Sequence, residues 1–192
     1  MTYRLMAQMT ANLVAKKLKV KKKCTTHKHP LPGSEKKIQP MKQIKKFTGI
    51  SSSVTGSTLY RHGQRVHNIL TKDRKNYGLI CECEMVTAGE IEYALKKLNV
   101  KDIVDLRRRT RIGMGPCQGE LCSYRAAGLF VEFEAAGAAD SNIMLKDFLE
   151  ERWKGIKPIL WGDALRETEF TYWIYQGLFG LGDIPPKGEG KQ

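Results

Sequence analysis

Apolar positions recur at helical spacing along most of this chain, and the interruptions divide it. Over residues 2–19, Leu5, Met9 and Leu13 with the intervening alanines form a stripe behind Thr2, a residue suited to cap a helix. Nothing in the neighbouring sequence offers that stripe a partner. From 20 to 57 the period stops. Lysines give way to Pro30, Pro32, Gly33 and Pro40 and then to a Ser/Thr/Gly-rich stretch at 51–57, a pattern that reads as linker. Short extended segments are expected around Leu59–His62 and Leu79–Ile80. Thr87-Ala-Gly-Glu90 then reads as a capping box, with Val86 and Ile91 as its hydrophobic staple. The helix it opens carries Ile91, Ala94, Leu95 and Leu98 on one face.

Four more helices follow from the same spacing. One at about 101–109 turns Ile103 and Leu106 inward, and Gly113, Gly115 and Pro116 break the chain after it. One at about 119–134 gathers Cys122, Ala126, Leu129, Phe130 and Phe133. After a turn at Gly137–Asp140, a helix at about 142–154 packs Leu145, Phe148, Leu149 and Trp153, and one at about 163–179 packs Leu165, Phe170, Trp173, Ile174 and Leu178. The Pro/Gly-rich tail after Gly180 is expected to fray. The expected fold is mainly α: a small helical domain with short extended segments, an orphan N-terminal helix and two C-terminal helices. Its boundaries are read as 1–19, 20–57, 58–136 and 137–192.

Charge sharpens the division. The chain has 192 residues and a net charge of +13, and residues 1–50 hold 13 Lys+Arg against a single acid, Glu35. The remainder is balanced to within one charge. A basic arm from Lys16 to Lys46 suits an anionic partner. Aromatics able to stack on bases are nearly absent there, with Phe47 at its edge, so the arm reads as a solvated linker or partner surface and no nucleic acid is expected. With 41% hydrophobic residues and a mean hydropathy of −0.41, the chain can bury a core but has no apolar run near the roughly 18 residues that span a bilayer. The N-terminus shows no apolar segment followed by a cleavage site, so a cytoplasmic location is expected.

Four of the five cysteines fall as Cys81-x-Cys83 and, after 33 residues, Cys117-x4-Cys122; Cys24 stands apart. In an extended segment Cys81 and Cys83 would point the same way, roughly 6.6 Å apart. On one helix Cys117 and Cys122 would lie about 140° apart. Gln118-Gly119 lets the chain turn instead, placing Cys117 in a loop and Cys122 at the start of a helix. Four thiolates then converge at helix N-termini, where negative charge is favoured. Spacing alone leaves three readings open: disulfides, which an odd count and a reducing compartment disfavour; structural zinc, which usually takes Cys-x2–4-Cys knuckles; and an iron–sulfur cluster, which uses four cysteines at varied spacing.

Other candidates read as structural. His27 and His29 lack a further ligand beside Cys24, and His62 and His67 read as surface residues. Trp153, Trp161 and Trp173 read as core, and Asp163, Glu167 and Glu169 as a solvated helix face. Arg107, Arg108 and Arg109 read in part as a solvated helix end. Arg111 begins the loop that delivers Cys117 and is the better candidate for a cation facing the cysteines.

Cys81-Glu-Cys-Glu84, Thr87-Ala-Gly-Glu90, Asp105-Leu-Arg-Arg-Arg-Thr-Arg111 and Gly113-Met-Gly-Pro-Cys-Gln-Gly-Glu-Leu-Cys122 resemble the bacterioferritin-associated-ferredoxin-like [2Fe-2S] domain. Thr2-Tyr-Arg-Leu-Met-Ala7, Cys24-Thr-Thr26, Leu31-Pro-Gly-Ser34, Glu151-Arg-Trp-Lys-Gly155 and Trp161-Gly-Asp-Ala-Leu-Arg-Glu167 extend the likeness. Together they resemble the C-terminal part of the flavin-bearing subunit in the anaerobic glycerol-3-phosphate dehydrogenase family. The resemblance implies a [2Fe-2S] cluster on Cys81, Cys83, Cys117 and Cys122, with Arg111, Gln118 and Gly119 close behind them. It also implies an FAD-linked oxidation of glycerol 3-phosphate. Electrons would pass to partner subunits and the quinone pool, and those partners would bring the chain to the inner face of the membrane. Residues 1–19 would be the last helix of a flavin domain. No Gly-x-Gly-x-x-Gly following a strand is present, so a C-terminal fragment is expected, with FAD only in the missing N-terminal domain.

Overall fold

A computed structural model describes residues 2–31, 49–70 and 74–185, which fall in two units, Met1–Lys37 and Ile38–Gln192. Pro32, Gly33, Pro40, the lysine pairs at 36–37 and 45–46, and Phe47 lie outside the described residues. Both units are mainly helical, as the periodicity predicts. Among the described residues no helix is long and apolar enough to cross a membrane.

In the first unit α1 spans Tyr3–Lys17, with Lys16 and Lys17 in its last turn. Thr2 does not cap it: its backbone is already helical, and its hydroxyl faces Met6 Sδ rather than a free N–H. Leu5, Met9 and Leu13 are all exposed.

The second unit departs from expectation at its start. Residues 59–62 are not extended, and the Ser/Thr/Gly stretch is not all linker. Helix α2 runs Ser52–His62, capped by Ser51, whose Oγ accepts the Ser53 N–H at 3.3 Å. Its residues are poor helix formers, so tertiary contacts drive it. Val54 and Leu59 are buried, and Thr58, Arg61 and His62 all reach one carboxylate, Glu90. A short α3, Val66–Leu70, follows and completes a small cluster of Leu59, Val66, Ile69 and Leu70.

A hairpin pairs β1 (Leu79–Cys81) antiparallel with β2 (Val86–Thr87), with Leu79 opposite Thr87 and Cys81 opposite Val86. Helix α4, Ala88–Lys97, opens on the predicted capping box: the Glu90 N–H donates to Thr87 Oγ1 at 3.3 Å, and the Thr87 N–H donates to Glu90 Oε2 at 3.1 Å. Then come α5 (Ile103–Thr110, capped by Asp102), α6 (Ser123–Glu132), α7 (Ala138–Ile156) and α8 (Gly162–Trp173). Ile91, Ile103, Leu106, Ala126, Phe130, Leu145 and Phe148 form one core beneath the cysteine loops.

The C-terminal helices correct the sequence reading. A π-helical stretch, Ile174–Leu178, follows α8 and shifts its phase, so Tyr175 is the residue buried there, its hydroxyl donating to Glu120 O. Phe170, Trp173 and Leu178 are exposed, and Trp161 is 84% exposed, so neither of these tryptophans is core. Trp153 is half-buried and stacks on Tyr172. The segment after Gly180 is anchored for a few residues: Leu181 is buried, and Lys146 Nζ donates to Ile184 O.

Glu90 is the charged hub of the fold. It is 0% exposed, yet Arg61 donates to both its oxygens at 2.8 Å and His62 lies 3.0 Å away, so His62 is not a surface residue. Burial raises the Glu90 pKa, but the hydrogen bonds from His62 and Arg61 outweigh it and hold the carboxyl below the usual carboxylate range. A depressed pKa stabilises the fold above the pKa of an unfolded glutamate, about 4.3, and that stability is lost as pH falls through the lower folded value. Thermal unfolding followed against pH should therefore show a flat midpoint near neutrality and an acid limb. The limb should be shallower in Glu90→Gln; an unchanged limb would remove Glu90 as its source.

A four-cysteine candidate metal centre

Two loops carry the cysteines. Cys81 ends β1, whereas Cys83 sits in the hairpin turn, not in an extended segment as the spacing suggests. The two thiols therefore differ: Cys81 is 1% exposed and Cys83 is open to solvent. The second loop leaves α5 through Arg111 and Gly113, both at positive φ (66° and 72°), and turns at Gln118 and Gly119 (51° and 93°). It delivers a half-buried Cys117 and sets Cys122, 1% exposed, at the N-cap of α6. A side chain at Gly119 would meet the Phe148 ring at 2.8 Å, so that turn requires glycine twice over.

The thiols meet across the loops in two pairs. Cys83 Sγ lies 3.9 Å from Cys117 Sγ, and Cys81 hydrogen-bonds Cys122. None of the five cysteines is in a disulfide. The Cys122 thiol and the N–H groups of Gly113, Glu84 and Cys83 pull the Cys81 pKa down to about 6 against the cost of burial. The Cys122 pKa is pushed up, by the Cys81 side chain first and by burial second. For Cys83 the Cys117 N–H lowers the pKa, but the neighbouring Cys117 thiol outweighs it and leaves Cys83 raised. Cys24 lies in the other unit, its Sγ 3.1 Å from Thr26 Oγ1.

Arginines hold both loops. Arg61 donates to Glu84 O and Met85 O at 2.8 and 2.9 Å, Arg111 Nε to Glu84 Oε2 at 2.8 Å, and Arg125 to Ile80 O and Glu82 Oε1 at 3.3 and 2.5 Å. On the second loop, Arg107 donates to Gln118 Oε1 at 3.2 Å, and Gln118 Nε2 reaches Gly115 O at 3.0 Å. Arg152, from α7, donates to Cys117 O at 2.8 Å, and burial pushes its pKa down. Arg107 is thus half-buried rather than part of a solvated helix end. Sequence spacing could not have found Arg152, which lies 30 residues beyond Cys122 and arrives only through α7 packing on α6.

Residues 79–132 match the BFD-like [2Fe-2S] binding domain family. The chain is similar throughout to an anaerobic glycerol-3-phosphate dehydrogenase subunit of Haemophilus influenzae, with 50% identity over 192 residues, all of this chain and 34% of that protein. The subunit of the same name in Escherichia coli K12 is 51% identical over 181 residues, 94% of this chain and 33% of that protein. A shorter likeness, 57% over 44 residues, reaches hydrogen cyanide synthase subunit HcnB of Pseudomonas aeruginosa, covering 23% of this chain and 9% of that one. No solved structure matches.

The chain carries a BFD-like [2Fe-2S] domain. It spans about a third of the length of the curated dehydrogenase relatives, matching their C-terminal part. The domain supports a role in electron transfer.

The four thiols in these two loops would suit a [2Fe-2S] cluster. A [2Fe-2S] centre takes four thiolates, two to each iron, and the thiols here stand two and two. Among the described residues no group of three or more His, Cys, Asp or Glu side chains is arranged around a single ion. Gly115 keeps room beside the open thiol: a Cβ on it would stand 2.3 Å from Cys83 Cβ and 3.3 Å from its Sγ. His27 and His29 join no such group, and His29 instead faces Thr25 Oγ1 at 3.3 Å.

Proposed function

We propose that Cys81, Cys83, Cys117 and Cys122 hold one [2Fe-2S] cluster. We propose further that the chain is the iron–sulfur portion of an FAD-dependent anaerobic glycerol-3-phosphate dehydrogenase. It would pass electrons from flavin towards partner subunits and the quinone pool at the inner face of the membrane, with FAD held elsewhere in that dehydrogenase. The observation that carries the reading is the meeting of four thiols from two arginine-held loops in one folded unit.

When bound, the cluster supplies a one-electron acceptor. The protein's own residues decide how it is reached. Cys81 and Cys122 face the core, so water is kept from that side. Cys83 is open, beside a shallow basin lined by Ser53, Gly56, Tyr60 and Arg111, and it is the edge through which electrons are exchanged. Arg61 fixes that edge by gripping two carbonyls of the turn. Arg111, Gln118 and Gly119 act on the loops rather than on a substrate: Arg111 ties Glu84 to the end of α5, and Gln118 and Gly119 shape the turn that presents Cys117.

A reductive titration of the anaerobically reconstituted chain tests this. One electron per chain should bleach the visible absorption, and an oxidant should restore it. A colourless chain with one tightly held zinc and no titratable electron would replace the reading with a structural metal module. The same chain, lacking a dinucleotide cradle, should bind no FAD and oxidise no glycerol 3-phosphate; stoichiometric FAD released on denaturation would show a flavin site.

A further inference from the structure

Five arginines surround the cysteine loops, and they are not alike. Arg61 is neutralised by Glu90, Arg111 by Glu84 and Arg125 by Glu82. Among the described residues Arg107 and Arg152 make no ion pair. Their donors go to neutral oxygens on consecutive residues of one loop, Arg152 to Cys117 O and Arg107 to Gln118 Oε1. Each also has a buried Nε without a partner. Arg152 lines a cavity of about 20 Å³ with Gln176, whose Nε2 is likewise buried and unpartnered. That space admits about one water. Water would satisfy a donor there without cancelling the charge. The two guanidiniums feel each other, and Glu120 offsets Arg152 only through space. Half-buried like charges offset only in part, here by Glu120 acting on Arg152, are costly unless something more negative completes the site.

We infer that Arg107 and Arg152 form a preformed cationic seat behind Cys117 whose counter-charge is the cluster itself. The inference rests on the four-cysteine reading above. Four thiolates around two ferric and two sulfide ions leave a net charge of about −2, and one-electron reduction adds another negative charge. Two cations behind one ligand loop stabilise the bound centre and favour its reduced form. Arg111, at the rim and already paired with Glu84, contributes less.

The experiment compares Arg152→Gln, Arg107→Gln, Arg152→Lys and Arg111→Gln. In the reconstituted chain, Arg152→Gln should lower the midpoint potential by an amount equivalent to about tenfold in the reduced-to-oxidised ratio, 59 mV for a one-electron couple. Arg107→Gln should move it in the same direction. Arg152→Lys, which keeps the charge, should recover most of the shift, and Arg111→Gln should move the potential less than either. In the metal-free chain, a double-mutant cycle of Arg107 and Arg152 in urea should give a coupling of repulsive sign. A potential in Arg152→Gln that stays put or rises, or an attractive coupling in the metal-free chain, overturns the seat. A parent chain that takes up no iron and sulfide overturns the four-cysteine reading beneath it, so the two failures are distinct.

Discussion

Gly115→Ala is expected to leave a chain that folds but no longer holds an iron–sulfur cluster. A Cβ on residue 115 would fall 2.3 Å from Cys83 Cβ, and two side-chain stems cannot share that space. The cysteine turn and the Cys117 loop must then separate. Overpacking of this kind costs about 1–3 kcal/mol, within the range a small domain survives. The separation acts directly on the Cys83 and Cys117 sulfurs, now 3.9 Å apart. Iron and sulfide content after anaerobic reconstitution should fall to background while the circular dichroism stays helical. Gly128→Ala is the control: it lies on α6 with nothing within 4 Å of the added Cβ, and should gain up to about 1 kcal/mol with full cluster content. A fully loaded Gly115→Ala chain would show that the loops are not apposed as described.

The second large effect falls on stability. Glu90→Gln leaves Arg61, only 6% exposed at its side chain, without its counter-charge. Breaking a buried pair from one side costs about 3–5 kcal/mol, a large part of the roughly 5–15 kcal/mol a domain usually has. The loss should appear as a lower urea midpoint in the metal-free chain. It should also weaken cluster retention, because the same guanidinium holds Glu84 O and Met85 O in the Cys83 turn. A variant as stable as the parent would mean that the network is solvated.

The capping box and the helices from Ala88 to Trp173 were legible because each rests on local rules: a reciprocal cap and a 3.6-residue period. What was not legible depends on contacts distant in sequence. Residues 51–57 look like linker because Ser, Thr and Gly are weak helix formers, and 59–62 look extended; the burial of Val54 and Leu59 and the contacts to Glu90, 28 residues after His62, make Ser52–His62 a helix. Cys83 was expected alongside Cys81 on a strand, but the strand ends at Cys81 and a turn separates a buried thiol from an open one. Leu178 was expected inside because an ideal helical period was extended through a π-helical stretch, and Phe170 and Trp173 because apolar spacing was read as core, whereas α8 buries none of its residues. Arg111 stood out by proximity in sequence, whereas Arg152 reaches Cys117 only through the tertiary fold.

The most direct measurement is the iron and acid-labile sulfide content of three anaerobically reconstituted chains: the parent, Cys24→Ala and Cys83→Ala. Two iron and two sulfide per chain, about the content of one [2Fe-2S] cluster, are predicted for the parent and for Cys24→Ala. Cys83→Ala should hold neither in that amount. Full content in Cys83→Ala together with its loss in Cys24→Ala would contradict the assignment of the cluster to Cys81, Cys83, Cys117 and Cys122.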